Sequence, residues 1–167
     1  MRTELQNYKY TSSGDLQLEL AVLEEMLKEE RNVFQKRFDG VQFLIADEDL
    51  IQVESIKESL LARFNNAFIE NAENYKEVYS KLERAQPDLL ITDKLLGGKG
   101  ALSLIEMLKS SRKFQDIKIL MIIDSKIKED KNETGTYPEV DGMLVKPFTP
   151  IELIEEVINI LQGNESV

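Results

Sequence analysis

A chain of 167 residues is long enough for one large domain, or one domain with an appendage. Its 31 acidic and 21 basic residues give a net charge of −10, which argues against nonspecific binding to nucleic acid or to an anionic membrane. Cysteine and histidine are both absent. That excludes disulfides, thiolate or imidazole metal sites and every histidine-based catalytic arrangement. Metal chemistry is left to oxygen ligands, which favour Mg²⁺, Ca²⁺ or Mn²⁺.

The N-terminus lacks the apolar core of a signal peptide, and no apolar stretch reaches membrane-spanning length. A cytoplasmic location is expected. Residues 1–11 show no periodicity and read as a lead-in. Ser12 followed by Asp15 approximates a capping box. From there Leu16, Leu20, Leu23, Leu27 and Phe34 follow the spacing of a coiled-coil seam, interrupted by Glu30. A helix over 15–38 is predicted, with its leucines buried on one face. The seam points to a homodimer through residues 15–38, or to a brace on the rest of the chain. Asp39-Gly40 ends the segment.

From Val41 the pattern alternates between strand and helix. A first strand is predicted at 41–46. The helix after it starts near Asp49, with Ile51, Ile56, Leu60 and Leu61 on its buried side. A short second strand is predicted around 67–69, then a helix carrying Tyr75, Val78, Tyr79 and Leu82, stopped by Gln86-Pro87. The third strand covers 88–92. Leu95–Gly100 reads as a tight Gly-rich turn without P-loop spacing, followed by a helix carrying Leu102, Ile105 and Leu108. The fourth strand covers 118–123. Ser125–Val140 contains Gly135 and Pro138, with Ile127, Tyr137 and Val140 as sparse anchors for a shortened or broken helix. A fifth strand at 143–145 precedes a final helix from Pro150, with Ile151, Ile154, Val157, Ile158 and Leu161 on its core face. Five strands separated by helices imply an α/β fold: a doubly wound five-stranded parallel sheet with an extra N-terminal helix. The expected divisions are 1–40, 41–162 and a tail at 163–167.

Three of these strands end in charge. Asp47-Glu48 follows the first, Asp93 the third and Lys146-Pro147-Phe148 the fifth. In a parallel sheet those ends form the ligand crevice. Three carboxylates there call for a counter-cation, and a neighbouring lysine suits a phosphoryl group. The pattern points to a Mg²⁺-assisted aspartyl-phosphate site. Asp47, Glu48 and Asp49 also fit a plainer role as helix-capping acids.

Taken together, Leu44-Ile45-Ala46-Asp47-Glu48-Asp49, Pro87-Asp88-Leu89-Leu90-Ile91-Thr92-Asp93 and Val145-Lys146-Pro147-Phe148 resemble the receiver domain of bacterial response regulators, across roughly 41–162. The resemblance implies the flavodoxin-like receiver fold. It implies that Asp93 accepts a phosphoryl group from a sensor histidine kinase or phosphotransfer protein. Asp47, Glu48, Asp93 and the backbone carbonyl of Leu95 would hold Mg²⁺, and Lys146 would pair with Asp93 and then with the phosphate. It also implies a cis Lys146–Pro147 bond, signalling to a downstream protein target, and no enzymatic role beyond self-catalysed phosphoryl transfer and dephosphorylation.

The chain departs from the family at its switch positions. Ile123, or Asp124 if the register slips by one, stands where a Ser or Thr is usual, and Met143 replaces the switch aromatic. Those departures leave a second reading open: a pseudo-receiver acting as a phosphorylation-independent interaction or dimerisation module. A Mg²⁺-dependent phosphatase is disfavoured because no second acid or nucleophile is apparent. A transcription factor is disfavoured because nothing after Leu161 could form a DNA-binding domain.

Overall fold

The computed structural model describes residues 13–98, 100–126 and 139–163. The predicted lead-in, the role of Ser12 and the tail beyond Gly163 lie outside these residues. So does most of the irregular segment after the fourth strand, with Ile127 and Tyr137. The chain divides into two compact units, one ending at Phe38 and one beginning at Asp39.

The described part of the first unit is one long helix, α1 (Ser13–Arg37). It is rich in Leu, Glu, Met, Lys and Arg, all strong helix formers. Asp15 in the first turn and Lys36 and Arg37 in the last complement the helix dipole. The helix forms as predicted, and within the single chain Leu16, Leu20, Leu23 and Leu27 all stand exposed.

The second unit runs β1 (Gln42–Ala46), α2 (Leu50–Arg63), β2 (Phe68–Ala72), α3 (Tyr75–Arg84), β3 (Leu89–Asp93), α4 (Ala101–Ser110), β4 (Lys118–Asp124), β5 (Gly142–Lys146) and α5 (Pro150–Gln162). The strands form one parallel sheet in the order β2-β1-β3-β4-β5. This is the flavodoxin-like receiver arrangement, whose strand order reverses between β1 and β3.

The central strands are apolar on both faces, as a sheet covered on both sides requires. Leu44, Ala46, Leu90, Ile119, Met121 and Ile123 pack in one cluster with Val78 and Leu82 of α3 and Leu104 and Leu108 of α4. Alternation along the strands sends Phe43, Ile45, Leu89 and Ile91 to the opposite face. There α2 and α5 pack against each other, and the Phe43 ring meets Phe64 edge-on at 5.3 Å between centroids.

Helix boundaries follow local chemistry. Asp49 caps α2, accepting from the amides of Ile51 and Gln52. Asn74 caps α3. Thr149 and Glu152 form a capping box at α5, where Pro150 occupies the first turn. Gly100 opens α4 at φ 73°, a backbone conformation that disfavours any residue with a Cβ.

Four helix faces differ from the sequence reading. On α2 the buried stripe is Val53, Ile56 and Leu60, while Ile51 is 84% exposed and Leu61 also faces solvent. On α5 it is Leu153, Val157 and Ile160, with Ile151 exposed. On α3 and α4, Tyr79 and Leu102 point outward. These helices carry more apolar residues than one face can hold, so the outermost are left in water. The edge strand β2 sits further along than expected and is largely exposed.

Replacing Ile56, which is 1% exposed, with Ala should cost about 2–5 kcal/mol, whereas Ile51→Ala should stay within about 0.5 kcal/mol. Urea unfolding of both variants checks this, and equal losses would contradict the assignment of the α2 faces.

Candidate functional site

The charged residues converge where β1, β3 and β5 end. Asp47 follows β1 directly. Its amide donates to the Ala72 carbonyl at 3.0 Å, which fixes the chain as it leaves the strand. The side chain is buried at 3% exposure. Its Oδ1 accepts the Asp49 amide at 2.9 Å. Its Oδ2 has no hydrogen-bond partner.

Asp93 is the last residue of β3. Its Oδ1 accepts the Leu95 amide at 2.7 Å, and its Oδ2 accepts from Lys146 Nζ at 2.7 Å. Lys146 ends β5, and its bond to Pro147 is cis, as the resemblance implied. Both members of the ion pair are mostly shielded from water. Glu48 is exposed beside Asp47, and Leu95 is exposed beyond Asp93. The structure thus joins Asp93 and Lys146 directly and brings Asp47 into their field. It assigns helix capping to Asp49 and leaves Asp47 for another role.

Burial is the largest effect on Asp47 and raises its pKa. The Asp49 amide opposes that rise, and repulsion from Asp93 adds to it. For Lys146 burial alone would lower the pKa. The hydrogen bond to Asp93 and the fields of Asp93, Asp47 and Asp124 together outweigh burial, so the net shift is upward and the ammonium stays charged.

Of two further neighbours, Asp124 entered the sequence reading only as the alternative to Ile123, and Lys94 was not assigned from sequence. Strand β4 runs on through Asp124, which stands in register with Lys146. Ile123 packs into the core cluster, so the last polar position of β4 is a carboxylate and not a hydroxyl. Lys94, next to Asp93, is buried. Only its place beside the acceptor could have flagged it. Met143 is exposed on β5.

The site fits a hard divalent cation. An orphaned, buried carboxylate oxygen beside a second carboxylate is a poor arrangement in an apolar setting, and a cation relieves it. Among the described residues no three acidic side chains form a ready-made cage. Backbone carbonyl and water oxygens would have to complete the shell, as is usual for Mg²⁺.

Residues 43–158 match the response regulator receiver domain family, and the chain belongs to that family. The phosphate regulon transcriptional regulatory protein PhoB of Pseudomonas aeruginosa is 29% identical over 125 residues, covering 74% of this chain and 52% of that protein. The chain therefore spans about half the length of that curated relative. A two-component response regulator from Clostridium difficile has TM-score 0.63 at 22% identity, over 75% of this chain and 99% of that one. The receiver domain of sensor histidine kinase PA1611 from P. aeruginosa PAO1 has TM-score 0.63 at 15% identity, over 74% and 99%, and holds a magnesium ion in its active-site cleft.

The folded chain favours protonated Asp47. Asp47 therefore contributes stability most fully below the ordinary carboxylate range, and that contribution is lost as pH rises through its raised value. Asp47→Asn should unfold at higher urea than the parent at pH 7, and the gain should vanish near about pH 3. An equal gain at both pH values would contradict the burial argument.

Proposed function

We propose that this chain is a phosphorylation-controlled receiver of two-component signalling. Asp93 accepts a phosphoryl group from a phosphohistidine on a sensor histidine kinase or phosphotransfer protein. The observation that carries this reading is the Lys146–Asp93 bond at 2.7 Å beside the unpartnered Asp47 Oδ2. One group is already held by a cation that can shift to phosphate, and the other waits for a metal.

In the proposed step an Asp93 carboxylate oxygen attacks phosphorus. The P–N bond to the donor imidazole breaks, and the imidazole nitrogen takes a proton. Water later attacks phosphorus, returning Asp93 and releasing inorganic phosphate. Asp47, Glu48, Asp93 and the Leu95 carbonyl are the proposed Mg²⁺ ligands, and the ion would neutralise charge as the phosphoryl group arrives. Lys146 exchanges its Asp93 oxygen for a phosphoryl oxygen. The Leu95 amide, now on Asp93 Oδ1, orients the carboxylate.

No helix among the described residues is long and apolar enough to cross a membrane, and the proposal places the chain in the cytoplasm with its kinase. The output is a changed protein-binding surface for a downstream target. No hydroxyl–aromatic relay carries that change, because Ile123 is in the core and Met143 has no ring. The same two residues favour a second reading, a pseudo-receiver that binds or dimerises without phosphorylation.

Incubation with a small acyl phosphate and Mg²⁺ separates the two readings. Intact mass should show one phosphoryl group on the parent and none on Asp93→Asn. Lys146→Ala should slow uptake by roughly 10²-fold. Millimolar Mg²⁺ should raise the melting temperature of the parent and not of Asp47→Asn. A parent that takes up no phosphoryl group at saturating donor supports the pseudo-receiver.

A further inference from the structure

Helix α1 is the least satisfied surface among the described residues. Leu16, Leu20, Leu23 and Leu27 lie on one stripe, each between 44% and 54% exposed. Met26 flanks them, also exposed. Soluble proteins seldom leave such a contiguous patch in water unless a partner covers it. A stripe repeating at intervals of four and three residues fits another helix carrying the same stripe.

We propose that α1 pairs with α1 of a second copy of this chain, and that the two helices run antiparallel. The charges decide the direction. In a parallel pair every seam residue meets its own copy. Glu30 would face the partner's Glu30 in the seam, Arg37 would face the partner's Arg37, and on the flank Glu19 would lie against the partner's Glu24. Like charges packed in a seam are the contacts that coiled coils exclude.

The antiparallel pair removes all three clashes. A twofold axis between Ala21 and Val22 sets Leu16 against the partner's Leu27 and Leu20 against the partner's Leu23. All four leucines then meet leucine. On the flanks Gln17 meets the partner's Glu24 and Glu19 meets the partner's Met26, with no like-charged pair. Glu30 falls level with Ser13, where the partner's helix begins. A carboxylate is welcome at that positive end of the helix dipole. Such an interface is isologous and closes at two copies. Neither its direction nor its register depends on phosphorylation of Asp93.

Solution mass of the full chain, by sedimentation or light scattering, should be twice the chain mass at tens of micromolar. The double variant Leu20→Glu with Leu23→Glu should have the mass of one chain, with the thermal midpoint of the residue 39–163 unit unchanged. A parent of single-chain mass at every concentration overturns the proposal. Because the chain contains no cysteine, single cysteines report the direction. A mixture of Leu16→Cys and Leu27→Cys chains should form the mixed disulfide on oxidation, while Leu16→Cys alone should stay uncrosslinked. Efficient self-crosslinking of Leu16→Cys overturns the antiparallel direction.

Discussion

The site depends on one reach. Lys146 on β5 passes over the end of β4 to bond Asp93 on β3 at 2.7 Å. Two strand spacings separate β3 from β5, about 10 Å in all. That reach works only if the strands are held in fixed register and β4 ends where the lysine crosses. The buried apolar run from Ile119 to Ile123 supplies both conditions. The core therefore does more than stabilise the unit: it brings three strand ends to one point and keeps the carboxylates close despite their repulsion.

Crowding gives those groups their chemistry. Asp47 is buried with one oxygen unpaired, so it resists ionisation. Lys146 is surrounded by three acids and keeps its proton. An acidic pocket with one resident cation and an orphaned oxygen is prepared to exchange partners. In the proposed mechanism a divalent ion would relieve Asp47, and a phosphoryl oxygen would replace Asp93 as the partner of Lys146. Asp124 at the end of β4 adds a further carboxylate whose field acts on Lys146.

The parallel sheet, the charged strand ends and every strand but β2 were legible in the sequence because those strands are short apolar runs bounded by turn chemistry, whereas β2 is largely exposed and was placed too early. Leu89-Leu90-Ile91 followed by Asp93 could hardly read otherwise. Helix faces were less legible. On α2, Ile51 and Leu61 share the composition of the core, and only packing shows that Val53 is inside and Ile51 outside. The end of β4 was ambiguous for a related reason. Ile123 and Asp124 are adjacent, and alternation alone cannot say which faces the site until the register with β5 is fixed. The leucine stripe of α1 was read correctly as a stripe, but its cover is not contained in the chain's own periodicity.

In the proposed mechanism Lys146 changes partner when Asp93 is modified. A crystal structure of the full chain with Mg²⁺ and BeF₃⁻, an acyl-phosphate mimic, measures this directly. BeF₃⁻ is expected on an Asp93 oxygen, with Lys146 Nζ moved from Asp93 Oδ2 to a fluorine and Asp47 Oδ2 directed at the metal. An empty Asp93, with Lys146 still on Oδ2 at saturating BeF₃⁻ and Mg²⁺, would contradict it.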